Sequence, residues 1–449
     1  MPDRVRVHPG HLSGRVLVPG DKSLSHRALI LGALADAPVM VHGLAPSDDV
    51  AATAAALAGM GARLELTVTE ATADRRAGLD GVVAGPLGEP ADTLDCGNSG
   101  TALRLLAGVA AGIDGLTVLT GDASLRRRPI DRVAAPLRRM GAAVDGRAGG
   151  RLPPVAVRGG RLSAVRHESP VASAQVKSAV ALAGLHADGA TTIVSPARSR
   201  DHTERLLTYL GAEVERSSDD SREVVTVRPG PLRARPIAVP GDPSSAAFWM
   251  VAAAVAVDDD REAVELPGLC ANPTRFGVVR TLQAMGADLE VLPEGETAGE
   301  PRATVRVRPA RLTGTTVAGA AVVDALDELP VLAVAGALAR GGLEVRDAAE
   351  LRVKESDRLA AIAATLGALG VSVEERPDGF RVPGGERPSG GVVEAGGDHR
   401  VAMTAVVAAT YATAPVEVRG FGCVATSYPS FLDDLAALGG RVEVLDGVP

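Results

Sequence analysis

Six times along the chain, apolar residues recur at helical spacing, stop at a glycine, and give way to a short run of alternating apolar and polar residues. The junctions are Met60-Gly61-Ala62, Met140-Gly141-Ala142, Leu210-Gly211-Ala212, Met285-Gly286-Ala287, Leu369-Gly370-Val371 and Leu438-Gly439-Gly440. Before Gly370, for example, Leu359, Ile362, Leu366 and Leu369 line one helical face; after it, Val371, Ser372, Val373 and Glu374 alternate as a strand does. Each junction therefore predicts a helix, a glycine cap and a strand. Without a Cβ, glycine takes the left-handed conformation that ends a helix and redirects the chain.

The offsets between halves are nearly constant: 225 residues from Gly61 to Gly286, 229 from Gly141 to Gly370 and 228 from Gly211 to Gly439. That regularity predicts a duplicated half with three units in each copy. A second marker has the same period. Val18-Pro19-Gly20-Asp21 recurs as Val239-Pro240-Gly241-Asp242, each followed by a helix-like run. Helix, glycine and strand follow one another in any α/β protein, but six copies at this spacing, with a paired second marker, argue for repetition.

Composition narrows what such a chain can do. Its 449 residues suggest two or three domains. With 46% apolar and 23% charged residues, the whole chain is expected to fold. Aromatic residues make up only 2%, so cores must be built from Ala, Val and Leu, and few rings are available to stack on bases, which argues against single-stranded nucleic acid as a partner. The net charge of -8 means that an anionic ligand must be held by a local cluster of cations. Cys96, Cys270 and Cys423 are widely separated and form neither a disulfide framework nor a zinc pattern, so a reducing cytosol and no metal are expected. No signal peptide and no membrane span are evident, and a cytoplasmic, soluble protein is expected.

Several motifs gather cations at predicted helix starts. Asp21-Lys22-Ser23-Leu24-Ser25-His26-Arg27 can bring backbone N–H groups, two hydroxyls and two cations to one anion; the alternative is that these cations are simply solvated. Cys96-Gly97-Asn98-Ser99-Gly100-Thr101 is either a close-approach loop or an ordinary helix cap. In Arg126-Arg127-Arg128-Pro129 the proline restricts Arg128 to extended geometry, from which a guanidinium can clamp a carboxylate; for Arg126 and Arg127 a basic surface loop is the better reading. Asp327-Glu328-Leu329-Pro330 precedes an almost wholly apolar helix, where the carboxylate is either a helix-start charge or a buried base. Arg352-Val353-Lys354-Glu355-Ser356-Asp357-Arg358 opens another helix, with Glu355 as a possible capping residue in a surface ion pair, and Gly397-Asp398-His399-Arg400 precedes an apolar run.

Taken in order, these motifs resemble the EPSP synthase (3-phosphoshikimate 1-carboxyvinyltransferase) family along essentially the whole chain. The resemblance implies a two-lobed inside-out α/β barrel of six βαβαββ units, three per lobe, with helix N-termini facing a cleft. It also implies a discontinuous C-terminal lobe of residues 1–20 and 241–449, an N-terminal lobe of residues 21–240, and hinges near 19–21 and 240–242.

The implied reaction transfers the enolpyruvyl group of phosphoenolpyruvate to the 5-hydroxyl of shikimate 3-phosphate by addition and elimination, without cofactor or metal. By resemblance, shikimate 3-phosphate is held by Lys22, Ser23, Arg27, Ser173, Gln175, Ser199, Asp327 and Lys354. Phosphoenolpyruvate is met by Lys22, Asn98, Gly100, Arg128, Gln175, Arg358 and Arg400. Asp327 matches the acceptor of the 5-hydroxyl proton, with Glu355 and Lys22 as candidates for proton transfer at C3 and for stabilising the leaving phosphate. Lobe closure would exclude water. A monomer binding only small molecules, with no nucleic acid or membrane partner, is expected. Gly100 keeps the small residue beside which glyphosate binds in the family. Leu105, Ala174, His202, Glu350 and Gly422 depart from the commonest family form, and in that divergent form Arg200 takes over substrate contacts.

Other readings predict different features. UDP-N-acetylglucosamine enolpyruvyl transferase usually has Lys-Asn in place of Lys22-Ser23 and a reactive Cys in the Arg126–Arg128 loop. An RNA-terminal phosphate cyclase needs a catalytic His and a basic face. A non-enzymatic repeat scaffold would not need cations at several helix starts.

Overall fold

Each alternating stretch needs a neighbour to complete its hydrogen bonds, and in a computed structural model of the chain the strands meet that need in six separate four-stranded sheets. The structure describes residues 1–72, 75–218, 222–255 and 262–445. Among these, the sheets share one plan: a short strand runs parallel to a second, and the second, third and fourth pair antiparallel where their register is resolved. Leu94–Asp95, Gly115–Thr120, Leu152–Gly159 and Ala143–Gly146 show it in full. Parallel neighbours need a crossover helix, and the run from Arg166–Glu168 to Glu223–Val227 accordingly reads βαβαββ in chain order, whereas three of the sheets borrow one strand from a distant part of the chain. No sheet closes on itself as a barrel among the described residues.

All six junction glycines have positive φ, from 76° at Gly370 to 109° at Gly141. In every repeat the strand after that glycine is the outer edge of its sheet. The first of these, Arg63–Thr69, and the last, Arg441–Val444, mix exposed and half-buried positions with no fully buried residue.

The chain divides into two compact units. One comprises Gly20–Val239 with Glu296–Glu300, and the other Met1–Pro19, Pro240–Gly295 and Pro301–Pro449. We refer to them by their principal site residues, as the Lys22 unit and the Asp327 unit. At each Val-Pro-Gly-Asp the chain leaves a strand of one unit and enters a helix of the other. Gly14–Arg15 completes the sheet of Val264–Cys270, whereas Ile237–Ala238 completes the sheet of Val39–Leu44. Gly20 has to be glycine, because a Cβ there would lie 1.9 Å from the Gly43 carbonyl oxygen. Strand Arg4–His8 sits between Val416–Arg419 and Arg441–Val444, joining the two ends of the chain in one sheet.

Each unit is cored by three almost fully buried helices. In the Lys22 unit these are Lys22–Leu34, Gly100–Ala111 and Ala174–Gly184; in the Asp327 unit, Pro243–Ala254, Leu329–Leu338 and His399–Tyr411. Aromatic rings are unevenly shared. Trp249, Phe248, Phe421, Tyr428 and Phe431 form one cluster in the Asp327 unit, with Trp249 stacked 4.6 Å from Phe431. Between Gly20 and Val239 the sequence contains no Phe or Trp and a single Tyr, Tyr209, so the core of the Lys22 unit is built mainly from Ala, Val, Leu and Ile.

Candidate active site

In the Lys22 unit the three core helices begin together. Asp21, Ser99 and Ser173 cap them, accepting hydrogen bonds from the backbone N–H of Leu24, Ala102 and Val176. Side chains of the first turns then bond across: Gln175 Nε2 donates to Thr101 Oγ1 at 3.0 Å, and Arg27 donates to Ser178 Oγ at 2.8 Å. Three helix starts in one place concentrate partial positive charge and suit an anion.

The cations predicted from the motifs line this place. Arg27, buried, also donates to Thr203 Oγ1 at 2.7 Å and to the Ser23 carbonyl at 2.9 Å. Burial lowers its pKa to about 10, opposed chiefly by the Glu204 carboxylate, so it stays cationic at neutral pH. Lys22, with a side chain 16% exposed, pairs with Asp49 at 2.8 Å. Its neighbour His26 is fully buried, and burial, followed by the charges of Lys22 and Arg27, holds its pKa well below the ordinary value. The neutral ring bonds Thr53 at 2.7 Å.

Arg128 takes the extended backbone that its proline imposes and is buried. It donates to the Asn98 carbonyl at 3.1 Å, to Asn98 Oδ1 at 2.7 Å and to Ser124 at 3.0 Å. Arg126 bonds the Gly121 carbonyl and Arg127 is exposed, so the three consecutive arginines have three different environments. Ser199 is buried, with its amide bonded to Glu223.

The Asp327 unit brings together Asp327, Lys354, Glu355, Arg358 and Arg400. Arg358, 1% exposed, is the hub. It reaches Asp398 at 2.8 Å, Glu355 at 2.5 Å and Asp327 at 3.3 Å. Burial alone would lower its pKa, but these three carboxylates raise it above the ordinary value. Burial likewise works against the charge of Asp398, and Arg358 overcomes it, holding the Asp398 pKa below its usual value. Asp327 lies 3.6 Å from Lys354, and its carbonyl accepts from Arg400 at 2.9 Å.

For two residues the structure removes one of the alternatives that the sequence leaves open. Glu355 is not the helix cap: Asp357 caps the Arg358–Ala368 helix, and Glu355 pairs with buried Arg358 instead of forming a surface ion pair. Asp327 is not merely a helix-start charge, since Glu328 occupies the N-cap position and Asp327 faces three cations.

The pattern of the EPSP synthase (3-phosphoshikimate 1-carboxyvinyltransferase) family matches residues 7–435. The chain belongs to this family. It is 49% identical over 95% of its length to 94% of the 3-phosphoshikimate 1-carboxyvinyltransferase of Synechococcus sp. (strain JA-3-3Ab). It is 51% identical to that of Gloeobacter violaceus, covering 95% of this chain and 96% of the relative. Among solved structures, EPSP synthase from Acinetobacter baumannii superposes with a TM-score of 0.83 at 37% identity, covering 98% of this chain and 99% of that one. The enolpyruvyl transferase NikO from Streptomyces tendae shares the fold with a TM-score of 0.77 at 19% identity, covering 99% of both chains.

Within the frame of an EPSP synthase, motif reading missed Arg104. This guanidinium donates to Gln175 Oε1 at 2.7 Å, to the Pro129 carbonyl at 2.8 Å and to the Gly100 carbonyl at 3.3 Å. It thus ties together the segments that carry Gln175, Arg128 and Gly100. A Cβ on Gly100 would lie 2.7 Å from its Nη1, so the glycine leaves room for this arginine. The available signal was a lone charge inside an apolar helix, a place where charged residues are rare unless paired.

Proposed function

We infer that this chain catalyses the 3-phosphoshikimate 1-carboxyvinyltransferase reaction, transferring the enolpyruvyl group of phosphoenolpyruvate to the 5-hydroxyl of shikimate 3-phosphate with release of phosphate. The observation that carries this reading is an identity near one half, over 95% of the chain, with relatives named for that activity. The UDP-N-acetylglucosamine alternative is less well supported, for Ser23 follows Lys22 and no Cys lies among Arg126, Arg127 and Arg128.

The residue roles are part of the proposal, and the geometry described above supports them. Asp327 accepts the proton of the 5-hydroxyl as it attacks C2 of phosphoenolpyruvate while C3 is protonated. The tetrahedral intermediate then loses phosphate and the C3 proton. Lys354 lies 3.6 Å from Asp327, within reach of the same hydroxyl. Glu355 and Lys22 are the candidates for proton transfer at C3, and Lys22 also stabilises the departing phosphate. Arg128, Arg358 and Arg400, with Asn98, Gly100 and Gln175, hold phosphoenolpyruvate; planar guanidiniums suit a substrate bearing both a carboxylate and a phosphate. Ser23, Arg27, Ser173, Gln175 and Ser199 hold shikimate 3-phosphate. We place the enzyme in the cytosol as a monomer, a setting consistent with three free cysteines. No helix among the described residues is long and apolar enough to cross a membrane.

The test is phosphate release from phosphoenolpyruvate with shikimate 3-phosphate, with UDP-N-acetylglucosamine, and with no acceptor. Release with the first acceptor alone is expected, and its absence overturns the assignment.

A further inference from the structure

A buried charge cluster in the Lys22 unit lies outside the roles assigned above. Lys177 follows Gln175 by two residues on the Ala174–Gly184 helix and is 1% exposed. Its Nζ is 2.6 Å from Glu204 and 2.7 Å from Glu223, both also buried. Removing such ions from water costs several kcal/mol each, which their attraction repays only with good geometry. An apolar packing of the same volume would serve stability as well, so the cluster points to a use beyond stability.

Ser199 supplies that use. Glu223 accepts the Ser199 backbone N–H at 3.3 Å, and Lys177 donates to the Ser199 carbonyl at 3.5 Å. The two charges that bind each other therefore also hold both backbone polar groups of one residue. Ser199 is 2% exposed, yet its hydroxyl has no hydrogen-bond partner among the described residues. An unpaired buried hydroxyl is costly, and a ligand oxygen would relieve that cost. We propose that Lys177 and Glu223 are positioning residues for shikimate 3-phosphate, fixing the Ser199 backbone so that its hydroxyl is already placed when the substrate arrives. The proposal rests on the function inferred above. It explains why a lysine occupies an otherwise apolar helix whose first two turns also carry Gln175 and the Arg27 partner Ser178.

The first test uses the unmodified protein. Hydrogen exchange should find the Ser199 amide protected before any substrate is added; exchange at the rate of an open loop, with protection appearing only on adding shikimate 3-phosphate, overturns the proposal. The second uses Lys177→Met/Glu223→Gln, which removes a cation and an anion together. Its dissociation constant for shikimate 3-phosphate should rise about tenfold, while KM for phosphoenolpyruvate at saturating acceptor stays within about twofold. Ser199→Ala alone should weaken shikimate 3-phosphate similarly, and adding it to the double variant should cost little more. Fully additive losses, an unchanged dissociation constant, or equal losses for both substrates overturn the positioning role. Wild-type protein that fails to bind shikimate 3-phosphate would instead count against the functional reading itself.

Discussion

The Lys22 unit and the Asp327 unit share a plan, three buried helices whose first turns bond to one another, yet they surround their arginines differently. In the Lys22 unit, the hydrogen bonds described for Arg27, Arg104 and Arg128 run to carbonyls, hydroxyls and amides. Carboxylates still act on Arg27, chiefly Glu204, but guanidiniums hydrogen-bonded to neutral groups are what the proposed capture of an anionic substrate would use. In the Asp327 unit, Arg358 is held by Asp398, Glu355 and Asp327. That arrangement holds the Asp398 pKa below its usual value and gathers the carboxylates that the proposed proton transfers would use. One repeated fold thus carries two different charge arrangements near its helix starts, a difference that backbone alone does not reveal.

The contrast can be broken at graded cost. Lys22, unlike the three arginines just compared, is hydrogen-bonded to a carboxylate, that of Asp49. Lys22→Met should lower kcat by about a thousandfold or more with the melting temperature little changed; wild-type turnover would remove Lys22 from its assigned role. Next comes Asp398→Asn, which leaves Arg358 short of a fully buried counter-charge 2.8 Å away. Breaking a buried pair of this kind costs about 3–5 kcal/mol, readable as a lower denaturation midpoint at neutral pH. The pH dependence has a definite sign. The Asp398 pKa in the folded protein lies below its ordinary 3.8, so its contribution is complete above that value and disappears as pH falls through the folded pKa. The variant should therefore lose less stability than wild type on acidification below about pH 4.

Smaller effects should follow in the Lys22 unit. Arg104→Gln should raise KM for phosphoenolpyruvate about tenfold, because Gln175 and the Pro129 carbonyl lose their shared donor. Gly100→Ala should raise it only several-fold, through displacement of Arg104, and should add little on top of Arg104→Gln. Independent, additive effects in steady-state kinetics would contradict that route.

Local features of this fold are legible in the sequence. The six glycines at helix ends and the alternating strands after them depend only on neighbours, so the repeat and its offset were visible in one dimension. The helix starts at Lys22, Gly100, Arg358 and His399 carry Asp or Ser caps, which are equally local. What escaped was pairing across distance. Lys177 and Glu223 are 46 residues apart, and Arg104 and Gln175 are 71 apart, so neither pair leaves a motif. The same holds for Ile237–Ala238 completing the sheet of Val39–Leu44, because a two-residue strand has no periodicity to detect. For Glu355 the sequence leaves open a cap or a proton-transfer group; Asp357, two residues on, takes the cap, and Glu355 pairs with Arg358.

The contrast between capture and proton transfer is tested most directly by measuring, for Arg27→Gln and Asp327→Ala in parallel, the dissociation constant of shikimate 3-phosphate and kcat at saturating substrates. Arg27→Gln should weaken binding about tenfold or more with a smaller loss of kcat, whereas Asp327→Ala should lower kcat by about a hundredfold or more with binding nearly intact. Two variants that lose affinity and turnover in the same proportion would contradict the division of labour.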